Sequence, residues 1–308
     1  MHVTTRAERI AGALLGVHAG DALGASKEFS PMGAGRARYF WPAGHATDDT
    51  ALTRAVLLGY LRPSYGVVKT VAARMVDWLE GRWPNRQAGL PPREIGRVTR
   101  AGLRRYQQTG DPHRSGAGPG EAGNGSLMRC IPTALAVRDR ERRIHESMEI
   151  SAITHDDPRC TTACAAYNEI AAALLDGASP REAVDLGYDA AKDLGSVATA
   201  NAIALGIHMK PSVLVRTGQT LAEDEAPGYV LDSLSLAVAA VLDERPFADV
   251  LIDVVRLGSD ADSAAAIAGG LLGARDGAEA IPEQWLSVLQ FAEEFRAAAQ
   301  VLAEFTGR

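Results

Sequence analysis

The stretch GHATDDTALT, Gly44 to Thr53, sets Asp48 and Asp49 side by side between Thr47 and Thr50, just before an apolar helical run. A helix start uses one or two side-chain oxygens to satisfy its free N–H groups, and negative charge suits the positive end of the helix dipole. A hard divalent cation takes several oxygen ligands, and a carboxylate pair can serve one or two such ions. Taken alone, the stretch reads as a cap. Near the other end of the chain, however, Asp260, Asp262 and Ser263 repeat the form: Gly258 precedes them as Gly44 precedes the first run, and an Ala-rich helix follows. As caps these oxygens are over-supplied, and like charges repel more strongly as water is excluded. Two such starts converging are costly without cations between them, which is the physical case for a binuclear site of the Mg²⁺ or Mn²⁺ kind, built from oxygen donors alone. Neither run has the twelve-residue loop and closing Glu of an EF-hand.

The elements that must position these runs are helical. Ala and Leu recur at spacings of three and four through most of the chain, aromatic residues make up only 6%, and strand signals are nearly absent. The periodicity predicts helices over 7–23, 49–61, 67–80, 93–108, 126–137, 141–154, 160–175, 180–193, 196–209, 231–242, 246–257, 263–272 and 282–302. One long Gly- and Pro-rich loop, Thr109 to Gly125, interrupts them, and a loop of that length in a compact domain is usually functional or disordered. No fixed-period repeat or charge-block linker divides the 308 residues, so a single all-α domain over 1–308 is expected, as a monomer.

A net charge of −6 and a pI near 5.7 argue against a broad electrostatic footprint for nucleic acid, though not against nucleic acid as a local substrate. No apolar run approaches a membrane span, and the first residues lack the ordered regions of a signal peptide. Cys130, Cys160 and Cys164 form neither a disulfide framework nor the paired spacing of a zinc site; Cys160 and Cys164 share a helix face and read as core. A cytoplasmic protein is expected.

The motifs GALLGVHAGDALGASKEF, ATDDT, GNGSLMR, THDDPR, GYVLDSL, GSDADSAAAIAGGLLGA and IPEQW follow one another nearly end to end. In that order they resemble the ADP-ribosylglycohydrolase family, which includes the dinitrogenase-reductase-activating glycohydrolases and the vertebrate ADP-ribosyl-acceptor hydrolases. The resemblance implies an all-helical domain holding two divalent ions, Mg²⁺ or Mn²⁺, with Thr47, Asp48, Asp49, Asp260, Asp262 and Ser263 as ligands. It implies hydrolysis of the bond between C1 of the distal ribose and an acceptor, with oxocarbenium-like charge at C1, ions that fix the ribose hydroxyls and acidify the attacking water, and Glu28 moving protons. Asp49 and Asp262 are then the ligands on which turnover depends most.

Further roles follow from the same resemblance. Gly123, Asn124, Gly125 and Ser126 offer backbone N–H groups before a helix as a receptor for the phosphates of ADP-ribose. His155 lines the site, and Tyr229 offers a surface for the adenine. Asp21 and Arg129 read as structural, Arg129 by pairing with a core carboxylate, and Asp156 and Asp157 as caps for the helix after Pro158. The sequence departs from the family pattern at Glu94, where an aspartate commonly precedes Ile-Gly, and at Ala261 and Ser263, where threonine is usual. Ser263 keeps the hydroxyl, but Glu94 reaches one methylene farther and need not do what the aspartate does on the ribose. A non-catalytic ADP-ribose-binding module would carry a damaged ligand set, and a purely structural helical protein would have lost it; here every ligand position holds a competent oxygen. The acceptor stays open between arginine, serine and a nucleobase adduct, because no motif reports on the outer rim of the pocket.

Overall fold

A computed structural model of the protein describes residues 4–27, 42–84, 86–219 and 227–304. Glu28 lies outside the described residues. The α-helices in chain order are α1 (Arg6–Gly24), α2 (Asp48–Leu61), α3 (Val67–Leu79), α4 (Arg97–Thr109), α5 (Pro132–Ala136), α6 (Arg140–Ala152), α7 (Pro158–Leu175), α8 (Pro180–Asp193), α9 (Val197–His208), α10 (Pro211–Thr217), α11 (Val230–Val241), α12 (Phe247–Arg256), α13 (Ala261–Asp276), α14 (Glu283–Leu286) and α15 (Ala292–Ala303). Among the described residues no strand forms, only isolated bridges pairing Ala117 with His155 and Gly123 with Tyr229. None of the described helices is long and apolar enough to cross a membrane, and all three cysteines are buried and free.

Four departures from the predicted helices have local causes. The helix expected over 126–137 is a 3₁₀ turn, Leu127–Arg129, followed by α5, because Pro132 lacks an N–H and restarts the helix at its first turn. The segment expected to start at 93 becomes helical only at Arg97, after Gly96, so Glu94 sits on the approach and not in the helix. The helix expected over 282–302 splits into α14 and α15, and the break lets the Gln290 N–H reach the Gly44 carbonyl at 2.9 Å. Helix α10, which periodicity did not reveal, is one short segment between Pro211 and a left-handed Gly218.

The placement of the acidic runs rests on one helix pair. Helices α1 and α13 run antiparallel with backbones in contact, because Gly12, Gly16, Gly20 and Gly24 recur every fourth residue and face Gly273, Gly269, Ala265 and Asp262 in turn. A Cβ at Gly16 would lie 2.1 Å from the Gly269 carbonyl oxygen, and one at Gly24 would lie 2.3 Å from the Asp262 Cα. Residues four apart lie on one face of a helix, so this stripe of glycines fixes both the distance and the register of the pair. It brings the start of α13 beside the end of α1, and Asp21 near the end of α1 in turn anchors the start of α2.

Candidate active site

At the start of α2, Thr47 caps the helix by accepting the Asp49 N–H on its hydroxyl. Asp21, fully buried on α1, accepts the Thr47 N–H at 3.0 Å, the Thr47 hydroxyl at 2.7 Å, the Thr50 N–H at 3.1 Å and the Thr50 hydroxyl. Asp21 is therefore the clamp that the sequence reading called structural, and it leaves Asp48 and Asp49 free of capping duty. The turn before them is set by His18, whose Nε2 donates to the Gly44 carbonyl at 3.1 Å while Nδ1 is buried without a partner. Gly44 needs its positive φ of 73° and has no room for a side chain, since a Cβ would meet the Val288 carbonyl oxygen at 1.9 Å.

The start of α13 is a strained turn. Gly258 and Ser259 both have positive φ, 72° and 58°, and Ser259 is the one non-glycine among the described residues to do so. A left-handed serine costs on the order of 1 kcal/mol and persists where its surroundings hold it, commonly at functional sites. It aims Asp260 at Asn124, whose Nδ2 donates to Asp260 Oδ2 at 2.6 Å and lies 3.0 Å from the Ser233 hydroxyl. Ser263 closes the gap to α2: its hydroxyl lies 3.4 Å from Asp49 Oδ2. Asp262 is 2% exposed and accepts the Ser263 N–H on Oδ1 at 2.9 Å.

The runs thus converge, and the electrostatics record the cost. Burial, then the carboxylates of Glu94 and Asp21, raise Asp48 to about 7. Burial, then Asp21, Asp48 and Asp260, hold Asp49 well above the carboxylate range. Asp260 is raised by burial and by Glu94, against the donated bond from Asn124, and Asp21 is lifted by burial to about 6 despite its four donors. Glu94 belongs to this cluster from the non-helical approach to α4, where a helix was expected; its Oε2 is buried without a partner, as is Asp49 Oδ1.

The glycine-rich turn is built differently from expectation. The Asn124 N–H donates to the Gly228 carbonyl at 2.8 Å, and the Ser126 hydroxyl points into the core, accepting from Ser151 at 2.8 Å. That leaves the N–H groups of Gly123, Gly125 and Ser126 as the candidate phosphate donors, at a 3₁₀ turn and not at a full helix. Gly123 and Gly125 lie against the His155 ring, which a Cβ at Gly125 would approach to 2.9 Å. Arg129, expected to pair with a carboxylate, donates instead to the Gly125 carbonyl and, at 2.7 Å, to the Thr154 hydroxyl. That hydroxyl also lies 2.8 Å from His155 Nδ1, which leaves Nε2 on the side of the glycines. Burial and then Arg129 lower His155 to about 3, so it is neutral. Tyr229 is half-buried beside Gly228, with the Arg159 guanidinium 5.7 Å from its ring centre, and Asp157 caps α7 as predicted while Asp156 stays exposed.

The contacts therefore run from Glu94 and Asp48 through Asp49 and Asp260 to Asn124 and the turn before Tyr229. The donors are all oxygens, two carboxylate oxygens lack any partner, and the carboxylates repel one another: these residues fit hard divalent cations. Among the described residues no group of three or more His, Cys, Asp and Glu side chains is by itself arranged to hold a metal ion. Thr47 and Ser263 supply hydroxyls in addition, and the Thr47 hydroxyl, by donating to Asp21, keeps oxygen lone-pair capacity toward a cation.

The chain is all-helical among the described residues, with acid-bearing helix starts that meet beside a glycine turn, and comparison with known proteins gives its class. The family model described as ADP-ribosylglycohydrolase matches residues 2–308. The ADP-ribosyl-[dinitrogen reductase] glycohydrolase of Rhodospirillum rubrum is 30% identical over 312 residues, 96% of this chain and 94% of that protein. The ADP-ribosylarginine hydrolase Tri1 of Pseudomonas putida (strain GB-1) is 28% identical over 309 residues, 96% of this chain and 78% of that protein. A solved structure titled ADP-ribosylglycohydrolase-related protein complex superimposes with a TM-score of 0.81 at 28% identity, covering 99% of this chain and all of the other. The chain belongs to the ADP-ribosylglycohydrolase family, and it is an enzyme of that class.

Proposed function

We propose that the protein hydrolyses the bond between C1 of the distal ribose of ADP-ribose and the guanidine of an arginine acceptor, and that it depends on two divalent cations to do so. The observation that carries this reading is the approach of Thr47, Asp48 and Asp49 to Asp260 and Ser263, with Asp262 buried in the same turn, where Asp49 Oδ1 has no protein partner. Those six residues would hold the ions, Mg²⁺ or Mn²⁺, which when bound supply positive charge to neutralise the carboxylates and to orient the ribose hydroxyls.

The protein's own groups do the rest. Glu94, the carboxylate of the cluster outside the ligand set, places negative charge where the sugar ring becomes oxocarbenium-like, which lowers the barrier to leaving-group departure. Asn124 holds Asp260 in place, and the Gly123, Gly125 and Ser126 N–H groups face the phosphates while neutral His155 supports that turn. Tyr229 offers its ring to the adenine. Glu28 moves the proton between the attacking water and the departing acceptor. The arginine acceptor is supported by the relative named ADP-ribosylarginine hydrolase, and a protein acceptor by the relative named for ADP-ribosyl-[dinitrogen reductase].

Release of ADP-ribose from an ADP-ribosylarginine peptide, followed by chromatography in Mg²⁺ and Mn²⁺ buffers, tests the reading. Asp49→Ala and Asp262→Ala are each expected to lose most turnover with the fold retained. Near-normal rates in both would show the ligand assignment to be wrong. Tight binding of ADP-ribose with no hydrolysis of arginine, serine or nucleobase conjugates would make the protein a binding module.

A further inference from the structure

A cleft of about 390 Å³ reaches Asp48 and Glu94 from the segment between α3 and α4. That is the size of a small-ligand site, and its walls carry separated charges. Beyond the two carboxylates it is lined by Trp78, Trp83 and Arg86. Trp83 is fixed from behind: the Arg54 guanidinium lies 4.5 Å from its ring centre and is itself held at 2.9 Å by both oxygens of Glu294. Arg86 is braced by donating from Nη2 to the Leu90 carbonyl at 2.6 Å and lies 5.8 Å from the Trp78 ring centre.

Three side-chain donors of these two residues are unused. Arg86 Nε and Nη1 and Trp83 Nε1 are buried with no hydrogen-bond partner, and Arg86 pairs with no carboxylate among the described residues. Buried N–H groups, a guanidinium's above all, rarely stay unpaired in a native protein, because each forfeits water without compensation. Three such donors on two residues that line one cleft point to an anionic acceptor of hydrogen bonds there. The same cleft therefore has carboxylates beside the proposed reaction centre and residues with unpaired donors beyond it.

We propose that this cleft is the acceptor subsite and that Arg86 and Trp83 recognise a carboxylate carried by the acceptor, which rests on the catalytic reading given above. The match is to arginine as a dipole. Its guanidinium, bonded to the ribose, lies toward Asp48 and Glu94. Its α-carboxylate, or within a polypeptide an acidic side chain next to the modified residue, meets the Arg86 fork and the Trp83 N–H. A serine or a nucleobase brings no cation to the first part of the cleft, so the charges of the cleft favour the arginine conjugate.

The test compares ADP-ribosylarginine with ADP-ribosylagmatine, which has the same guanidine and chain but no carboxylate. A charge-assisted bond to a buried donor is worth roughly tenfold or more in kcat/KM, so the arginine conjugate is expected to be preferred by about that factor. Arg86→Met is expected to bring the ratio close to one and Arg86→Lys to leave an intermediate ratio, with melting temperatures confirming that both variants fold. Trp83→Phe, which keeps the ring on Arg54 but loses the N–H, should narrow the ratio in part. Equal rates for the two conjugates in the unaltered protein, or a preference that survives Arg86→Met, would overturn the subsite. Faster cleavage of an ADP-ribosylated oligonucleotide than of either conjugate would overturn it in favour of a nucleic-acid acceptor. Hydrolysis of neither conjugate would defeat the catalytic reading alone, and calorimetry on the ADP-ribose-loaded protein then decides the subsite: binding of free arginine but not agmatine supports it, and equal or absent binding of both refutes it.

Discussion

Substituting Gly24 by alanine tests whether the glycine seam between α1 and α13 positions the chemistry. The added Cβ would lie 2.3 Å from the Asp262 Cα, 2.4 Å from the Ala261 carbonyl oxygen and 2.5 Å from the Asp262 N. Carbon contacts settle near 3.5 to 4.0 Å, so the start of α13 must retreat by roughly 1 Å. Backbone stands on the far side of the contact, so no rotamer change relieves it. Forcing a methyl into a packed interface costs about 1–3 kcal/mol, which in a chain of this size lowers Tm by several degrees. The functional cost is larger, since reactive groups must be held to about 0.5 Å and a shift near 1 Å costs on the order of 10²-fold in rate. Gly12→Ala is the matched control. Its Cβ would strike the Gly273 carbonyl oxygen at 2.3 Å, an equal insult at the end of the seam remote from Asp262. Differential scanning fluorimetry should show similar destabilisation for both variants, while hydrolysis of ADP-ribosylarginine falls about 10²-fold for Gly24→Ala and only a few-fold for Gly12→Ala. A folded Gly24→Ala protein with a rate within twofold of the unaltered one, or equal losses at both positions, would refute the reasoning.

Burial holds His18 and His155 at about 3 in the folded protein, below the unfolded value near 6.5. The unfolded chain thus takes up their protons first, so each withdraws about 1.4 kcal/mol of stability per pH unit as pH falls from about 6.5 toward 3. Between pH 7 and 5 the raised Asp21 and Asp48 pull the opposite way, so the histidine share is read as a difference: in urea titrations His18→Gln should gain about 1.4 kcal/mol per pH unit relative to the unaltered protein as pH falls below about 6.5, and a difference that does not change with pH contradicts the neutral buried imidazole. Asn124→Asp replaces the donor to Asp260 by a further carboxylate, so it should lower Tm more in chelator than in excess Mg²⁺, and an equal drop in both would dissociate Asn124 from the acidic cluster. Glu28→Gln, chosen on its sequence motif, should cut kcat by roughly 10²- to 10⁴-fold, the range of general acid–base groups, while product affinity measured by calorimetry holds; intact turnover would remove Glu28 from the proton path.

The acidic runs were legible in the sequence because their chemistry is local. Each is contiguous, each opens a helix, and each carries more oxygen than a cap can use. The helical architecture was legible for the same reason, as a periodicity within each segment. What escaped were features fixed by residues distant along the chain. The clamp of Asp21 on Thr47 and Thr50 and the bond from Asn124 to Asp260 join segments that share no pattern. The break between α14 and α15 answers to Gly44, more than 200 residues away, and the 3₁₀ turn after Ser126 reflects a serine drawn inward to Ser151. Pro132 was a visible signal for that interruption and outweighs the apolar period around it. The acceptor cleft escaped for another reason: Trp83 and Arg86 matter through donors left unpaired in the folded chain, and no spacing encodes that.

The central claim, cation-dependent hydrolysis at the meeting of α2 and α13, is tested most directly by turnover of ADP-ribosylarginine in protein stripped by chelator, with metal content checked by elemental analysis, and then titrated with Mg²⁺ or Mn²⁺. Turnover should vanish on stripping and return as about two ions bind per chain, with a parallel rise in Tm because ions that bind only the folded state stabilise it. A rate that persists unchanged in the verified metal-free protein would contradict the account.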